Sequence, residues 1–487
     1  RRFWELREGL RRRAFWDGLP ETMESPCSVS ARDVAYFVEA EADKEWALKR
    51  LAEACDAVND SLQRARLLHT LGSVLEESGV GTSDALSTVP GDCVDSVASK
   101  VPGPSDLKDA AFEQLRDGMI STTARQETLP ENSLLGDQIV WARAPARLDL
   151  AGGWTDTPPY SLEQGGAVVN VAVNLNGQPP IQVFARRSDE AHIRLTSIDL
   201  GFSETVETLD SLMNYQSPEG SFSIAKAALA LCGFSPELYP WAADVTLADM
   251  LEQFGGGIEL TTLCAVPKGS GLGTSSILGA TLLAALNRIT GNESSERDLF
   301  HQVLVLEQML TTGGGWQDQV GGVLGGMKLV RTRPGMVPDP VARWLRTECF
   351  CPTENEGRTL LYYTGITRLA KDILHNVVGR YLDRDREAIY ALSTLKKECE
   401  AIRDALERRD DEAFGETVAR VWKLNKKLDP GSTNERVEKV MRRIEPYATG
   451  AKLLGAGGGG FLLIVCDGPE VAARCRADLE SNPPNEL

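Results

Sequence analysis

A chain of 487 residues is longer than one ordinary domain, and 42% hydrophobic against 25% charged residues is the balance of a globular protein with a large core. With 70 acidic and 52 basic residues the net charge is −18, which argues against a surface built for nucleic acid or anionic membrane. No apolar run approaches the ~18 residues of a membrane-spanning helix. The 10 cysteines lack Cys-x-x-Cys spacing and the 4 histidines are scattered. Reduced thiols in a cytoplasmic setting are therefore expected, not a disulfide framework or a zinc centre.

Residues 1–97 read as helical. Ser30-Ala31-Arg32-Asp33 has the form of a capping box, followed by Val34, Phe37 and Val38 at helical spacing, and Ser61–Glu77 is a second helix candidate. Nothing here carries a chemical constellation, so 1–135 is expected to be a helical packing region and linker. Ser99–Lys108, with Pro102-Gly103-Pro104, and Ser121–Asp137 are expected to be connections. From about Gln138 strands alternate with helices. Ile139–Arg143, Val168–Leu175, Ile181–Ala185 and Gly257–Val266 are strand candidates, the last placing Ile258, Leu260, Thr262, Cys264 and Val266 on one side. Ser276–Thr290 reads as an apolar helix closed by Gly291, and residues 369–447 as long charged helices. Lys452–Cys466 reads as strand, glycine turn, strand. The class is α+β, divided at about 136–335 and 336–487.

Four glycine-rich segments carry the chemistry. Pro267-Lys268-Gly269-Ser270-Gly271-Leu272-Gly273-Thr274-Ser275-Ser276 joins a strand to a helix. Its alternating glycines can turn several N–H groups into one concavity at a helix N-terminus, and Lys268 adds a positive charge, so a polyphosphate is the expected ligand. A ligand-free turn is the alternative; Walker and Rossmann spacings are absent. Gly313-Gly314-Gly315-Trp316-Gln317-Asp318 frames a carboxylate that a substrate can approach, and Glu307 ends a helix upstream. Taken alone, Asp318 is a turn residue and Glu307 a solvated one. Beside a phosphate loop they become a candidate base and magnesium ligand, the set that phosphoryl transfer needs. In Ala144–Tyr160, Arg147 and Asp156 bracket a glycine turn, either holding a polyhydroxylated ligand or pinning the loop. Gly455–Gly460 is a flexible turn or a close backbone approach.

These segments, in this order, resemble the small-molecule kinase superfamily of galactokinase, homoserine kinase, mevalonate kinase and phosphomevalonate kinase (the GHMP kinases). Gly152-Gly153-Trp154-Thr155-Asp156-Thr157-Pro158-Pro159-Tyr160 and Gly314-Gly315-Trp316-Gln317-Asp318-Gln319 look most like its L-fucokinase branch. The resemblance covers roughly 138–480. It implies a two-lobed fold, a ribosomal protein S5-like N-terminal lobe plus a ferredoxin-like C-terminal lobe, behind the helical segment. It also implies ATP and Mg²⁺ as cofactors and a small sugar as substrate, phosphorylated at the anomeric hydroxyl of L-fucose. Carried over by position, Lys268 to Ser276 hold ATP, Asp318 and Arg147 are catalytic, and Ser275 and Glu307 bind the metal. Arg147, Gly153, Trp154, Asp156 and Asp318 contact the sugar.

Galactokinases have Gly-Glu-His-Thr-Asp where this chain has Gly152-Gly153-Trp154-Thr155-Asp156, so galactose is not the expected sugar. A heptose 7-phosphate kinase is the enzymatic alternative, with Arg368 and Lys371 to meet the extra phosphate. A non-catalytic sugar sensor on the same fold predicts loss of the base or of the phosphate loop, and both are intact. Neither nucleic acid nor membrane is expected as a partner. The chain opens Arg1-Arg2-Phe3, and a longer or bifunctional polypeptide is expected around it.

Overall fold

The computed structural model describes residues 2–19, 29–78, 103–122, 129–217, 221–236, 238–239, 245–310, 313–347, 357–366, 371–481 and 483. The chain forms two compact units, one of residues 1–121 with 375–390, the other of 122–374 with 391–487.

The first unit is helical. Its capping box forms as the spacing requires: the Ser30 hydroxyl accepts from the Asp33 N–H at 3.2 Å and the Ser30 N–H donates to the Asp33 carboxylate at 3.3 Å. The helix that follows, Ala31–Ala40, buries Val34, Phe37 and Val38. Helix Ser61–Ser78 packs on helix Pro104–Ile120 so closely that a Cβ on Gly72 would lie 2.8 Å from the Pro104 carbonyl. Pro104 to Lys108, expected as a connection, are therefore the first turn of a helix. Proline is suited to that position because its missing N–H would have no intrahelical partner.

Residues 375–390 join this unit through Asp383. Its carboxylate accepts from Ser73 at 2.9 Å and lies 2.8 Å from His69 Nδ1, and its carbonyl accepts from the Ala31 N–H at 2.8 Å. The helical unit thus ends at Ser121 and takes in a distant segment, where the expected division was a continuous 1–135.

Among its described residues the second unit contains three sheets. Strands β1 (Ile139–Ala144), β4 (Ile181–Ser188), β7 (Gly257–Cys264), β5 (Ile193–Ser197) and β6 (Phe202–Val206) form one in that spatial order, with β5 and β7 parallel. Helix Thr274–Ile289, apolar on most of its surface, packs on β1 and β4. Strands β2 (Ala146–Ala151), β3 (Ala167–Val173), β8 (Met327–Arg331) and β9 (Val341–Trp344) form an antiparallel sheet. The third sheet, β10 (Thr359–Tyr363), β12 (Phe461–Cys466) and β11 (Ala448–Leu453), is also antiparallel. Helices Asp411–Leu428 and Pro469–Ser481 pack on it. The first of these approaches β11 so tightly that any side chain on Gly450 would collide with the Gly415 backbone.

Candidate active site

β2 was not among the expected strands, because charged residues alternate with apolar ones and every position is buried. Ala146, Leu148 and Leu150 share one face, leaving Arg147 and Asp149 on the other. Arg147 donates from Nε at 2.8 Å and from Nη2 at 2.5 Å to the same oxygen, Oδ1 of Asp318, and from Nη1 at 2.8 Å to the Gly271 carbonyl. Burial disfavours its charge, but Asp318, Asp149 and Asp156 around it raise its proton affinity above the ordinary arginine value. Arg147 therefore bridges Asp318 and the glycine loop as a permanent cation. Its partner is Asp318, 171 residues away, and not Asp156 across the turn.

Asp318 stands in the first turn of helix Gln317–Val323 and is 27% exposed, against 4% for Arg147. Both of its bonds from Arg147 fall on Oδ1, so Oδ2 carries neither. Asp156 lies beside it, buried, and accepts from the Gln317 N–H at 3.1 Å. Burial, and then the Asp318 charge, push the Asp156 carboxyl up to about 7. Any side chain on Gly315 would collide with that carboxylate, which explains the glycine.

Asp149 and Lys452 make a buried ion pair, 3% and 0% exposed, that ties β2 to β11. Lys452 also donates to the Asp149 carbonyl at 3.0 Å, and the Gln317 amide donates to Asp149 Oδ1 at 2.8 Å. Burial would raise the Asp149 carboxyl, but Lys452 and Arg147 bring it below the usual carboxylate range. A Cβ on Gly153 would stand 3.0 Å from Asp149 Oδ2, so the carboxylate already fills the space beside that glycine. The next residue, Trp154, is buried at φ +81°, a left-handed conformation that costs a non-glycine residue about 1–3 kcal/mol and is often found at binding sites.

The glycine loop has the backbone that its sequence suggested. Gly269, Gly271 and Gly273 have φ of +73°, +77° and +74°, and Gly273 caps the helix Thr274–Ile289. Lys268 is exposed, while Ser270 and Leu272 are buried and form the floor. Thr274 reaches Ser270 at 3.3 Å between hydroxyls. The loop rests on the late glycine turn: Phe461 donates its N–H to the Ser270 carbonyl at 2.9 Å, and a Cβ on Gly455 would lie 3.0 Å from Gly271 Cα. The Gly455–Gly460 turn is thus a close backbone approach. A Cβ on Gly273 would lie 3.0 Å from Asp318 Cγ, which places the carboxylate at the mouth of the loop.

Glu307, buried in helix Glu296–Met309, accepts from the Ser276 hydroxyl at 2.6 Å. Ser275, expected as the hydroxyl on the metal side, is exposed. Among the described residues no group of three or more His, Cys, Asp or Glu could hold a metal alone. Arg368 lies outside the described residues, as does the side chain of Lys371.

Residues 241–326 match the GHMP kinases N terminal domain, and residues 402–485 match GHMP kinases C terminal. The chain thus carries both GHMP kinase domains. It is 46% identical over 376 residues to the L-fucokinase/L-fucose-1-P guanylyltransferase of Bacteroides fragilis, which covers 77% of this chain and 40% of that protein. It is 37% identical to the bifunctional fucokinase/GDP-fucose pyrophosphorylase of Arabidopsis thaliana, over 69% of this chain and 31% of that one. The chain therefore spans well under half the length of these two curated relatives. The galactokinase of Lactococcus lactis, solved with galactose, superposes with a TM-score of 0.52 at 16% identity over 71% of this chain and 90% of that one, which supports the GHMP kinase fold.

Within that fold, sequence reasoning missed Asp149, Gln317 and Lys452. Gln317 and Lys452 were visible only as neighbours of glycine motifs, and Asp149 only as a charge inside an apolar run.

Proposed function

We propose that this GHMP kinase transfers the γ-phosphoryl group of ATP to the anomeric hydroxyl of L-fucose, giving L-fucose 1-phosphate and ADP. The observation that carries the reading is the Arg147–Asp318 pair opening onto a three-glycine loop. The identity to enzymes named as fucokinases points to the sugar. Asp318 Oδ2 takes the proton of the anomeric hydroxyl as that oxygen bonds to the γ-phosphorus and the bond to ADP breaks. Arg147 holds the carboxylate still and places positive charge beside the transferring group. Asp156 accepts hydroxyls of the sugar. The N–H groups of the loop and the helix start, with Lys268, receive the phosphates.

The Ser276 hydroxyl and Glu307 carboxylate form a hard oxygen pair suited to magnesium, which keeps waters and phosphate oxygens in its other positions. A magnesium ion held there would offset charge on the phosphates. Ser276→Ala is expected to raise the magnesium concentration needed for half-maximal rate, with little change in sugar KM, whereas Ser275→Ala changes neither. Equal magnesium titrations for the two variants would reject Ser276 as a ligand.

An ADP-release assay across L-fucose, D-arabinose, galactose and heptose 7-phosphate tests the reading; turnover of the heptose phosphate in preference to L-fucose would overturn it. L-Fucose should also be favoured over its 6-hydroxy counterpart L-galactose. Galactokinases place an acid at the Gly153 position, but here the space is held by Asp149, whose oxygens are engaged by Lys452 and Gln317. A methyl group against Trp154 gains about 0.8 kcal/mol for one buried carbon. A hydroxyl left unpaired there costs ~1–3 kcal/mol. Together these give roughly a 20- to 600-fold preference in kcat/KM, and equal values would refute the methyl pocket.

A further inference from the structure

Lys328 lies on β8, fully buried, on the face of the sheet that helix Gln317–Val323 covers. In cross-strand register Asp149, Asn170 and Lys328 stand side by side on β2, β3 and β8. The helix lies close above this row, since a Cβ on Gly321 would be 3.0 Å from Arg147 Cβ and 3.2 Å from Asn170 Nδ2. Lys328 Nζ donates to the Gly321 carbonyl at 3.1 Å and to the Gly326 carbonyl at 3.2 Å. The first belongs to the last turn of the helix, where carbonyls run out of intrahelical donors, and the second to the turn that follows.

This arrangement is a poor investment in stability. Among the described residues no carboxylate pairs with the Lys328 ammonium, and burial lowers its pKa to about 7. The neighbouring Asn170 is fully buried with neither Nδ2 nor Oδ1 hydrogen-bonded. An apolar residue at 328 would avoid the cost of desolvating a charge. What the lysine does provide is a fixed end for the seven-residue helix whose first turn carries Asp318.

We propose that Lys328 is a positioning residue of the phosphoryl-transfer site, anchoring the end of helix Gln317–Val323 to β8 and thereby setting where the Asp318 carboxylate points. This rests on the kinase reading above. A carboxylate displaced by about 1 Å loses on the order of 10²-fold in rate, and the Asp318 carboxylate lies against the Gly273 backbone, where an added Cβ would come within 3.0 Å of its Cγ.

The test is Lys328→Met, followed by steady-state kinetics, thermal melting and hydrogen exchange of residues 317–324. The expected result is a kcat at least ten-fold lower, unchanged KM for ATP and sugar, an unchanged or higher Tm, and faster exchange confined to that helix. A purely structural lysine would instead lower Tm, or abolish folding, and move kcat and KM together; either outcome overturns the proposal. So would an unchanged kcat with unchanged exchange. If the unsubstituted protein turns over no sugar, the kinase reading fails, and exchange in the helix still decides whether Lys328 anchors it.

Discussion

Asp318→Asn is expected to lower kcat by roughly 10²–10⁴, the usual worth of a positioned general base, while leaving the fold and nucleotide affinity in place. The conservative change matters because Arg147 is almost wholly buried and sends two donors to Oδ1. Asparagine keeps an oxygen for those donors, so the guanidinium is not stranded. Asp318→Ala removes it, leaving a buried cation whose remaining bond is to the Gly271 carbonyl, and is expected to lose stability as well as rate. Comparing the pair separates the two roles of the carboxylate. Near-normal turnover of Asp318→Asn would mean that Asp318 only holds the turn and Arg147.

Lys452→Met is expected to destabilise the kinase unit by ~3–5 kcal/mol, the cost of leaving a buried charge without its partner. Asp149 would keep the Gln317 amide but lose the only cation that bonds it among the described residues. Chemical denaturation measures the loss, and the double variant Asp149→Asn with Lys452→Met should recover much of it, since neither charge is then stranded. The pH dependence has a definite sign. The Asp149 carboxyl is lowered in the folded state, so its contribution is present above the ordinary carboxylate pKa near 4 and is lost as pH falls through the folded value. The gap between the unsubstituted protein and Lys452→Met should therefore narrow in acid. A gap of equal size at all pH values, or no loss at neutral pH, would show that the loss does not come from a stranded Asp149 charge.

Several features were legible in the sequence because they depend only on near neighbours. The capping box at Ser30 forms between residues three apart, and alternation along β7 reports the sheet face directly. Gly269, Gly271 and Gly273, read as a tight turn, each adopt a left-handed backbone, since that conformation is open to glycine and strained for other residues. Pro104 misled, because Pro-Gly-Pro signals a break while proline also starts helices. β2 was hidden because strand patterns assume that alternate residues meet water, and here the charged face is buried too. The site itself is a tertiary product. Arg147 meets Asp318 across 171 residues and Asp149 meets Lys452 across 303, and no local pattern ranks those partners above other carboxylates. The contact between Ser276 and Glu307 also needed the fold: a helix turns about 100° per residue, so Ser276 reaches Glu307 while Ser275 is exposed. Backbone conformation is set by each residue's own sterics. The pairing of buried charges is set by strand register and helix phase, which exist only once the chain has packed.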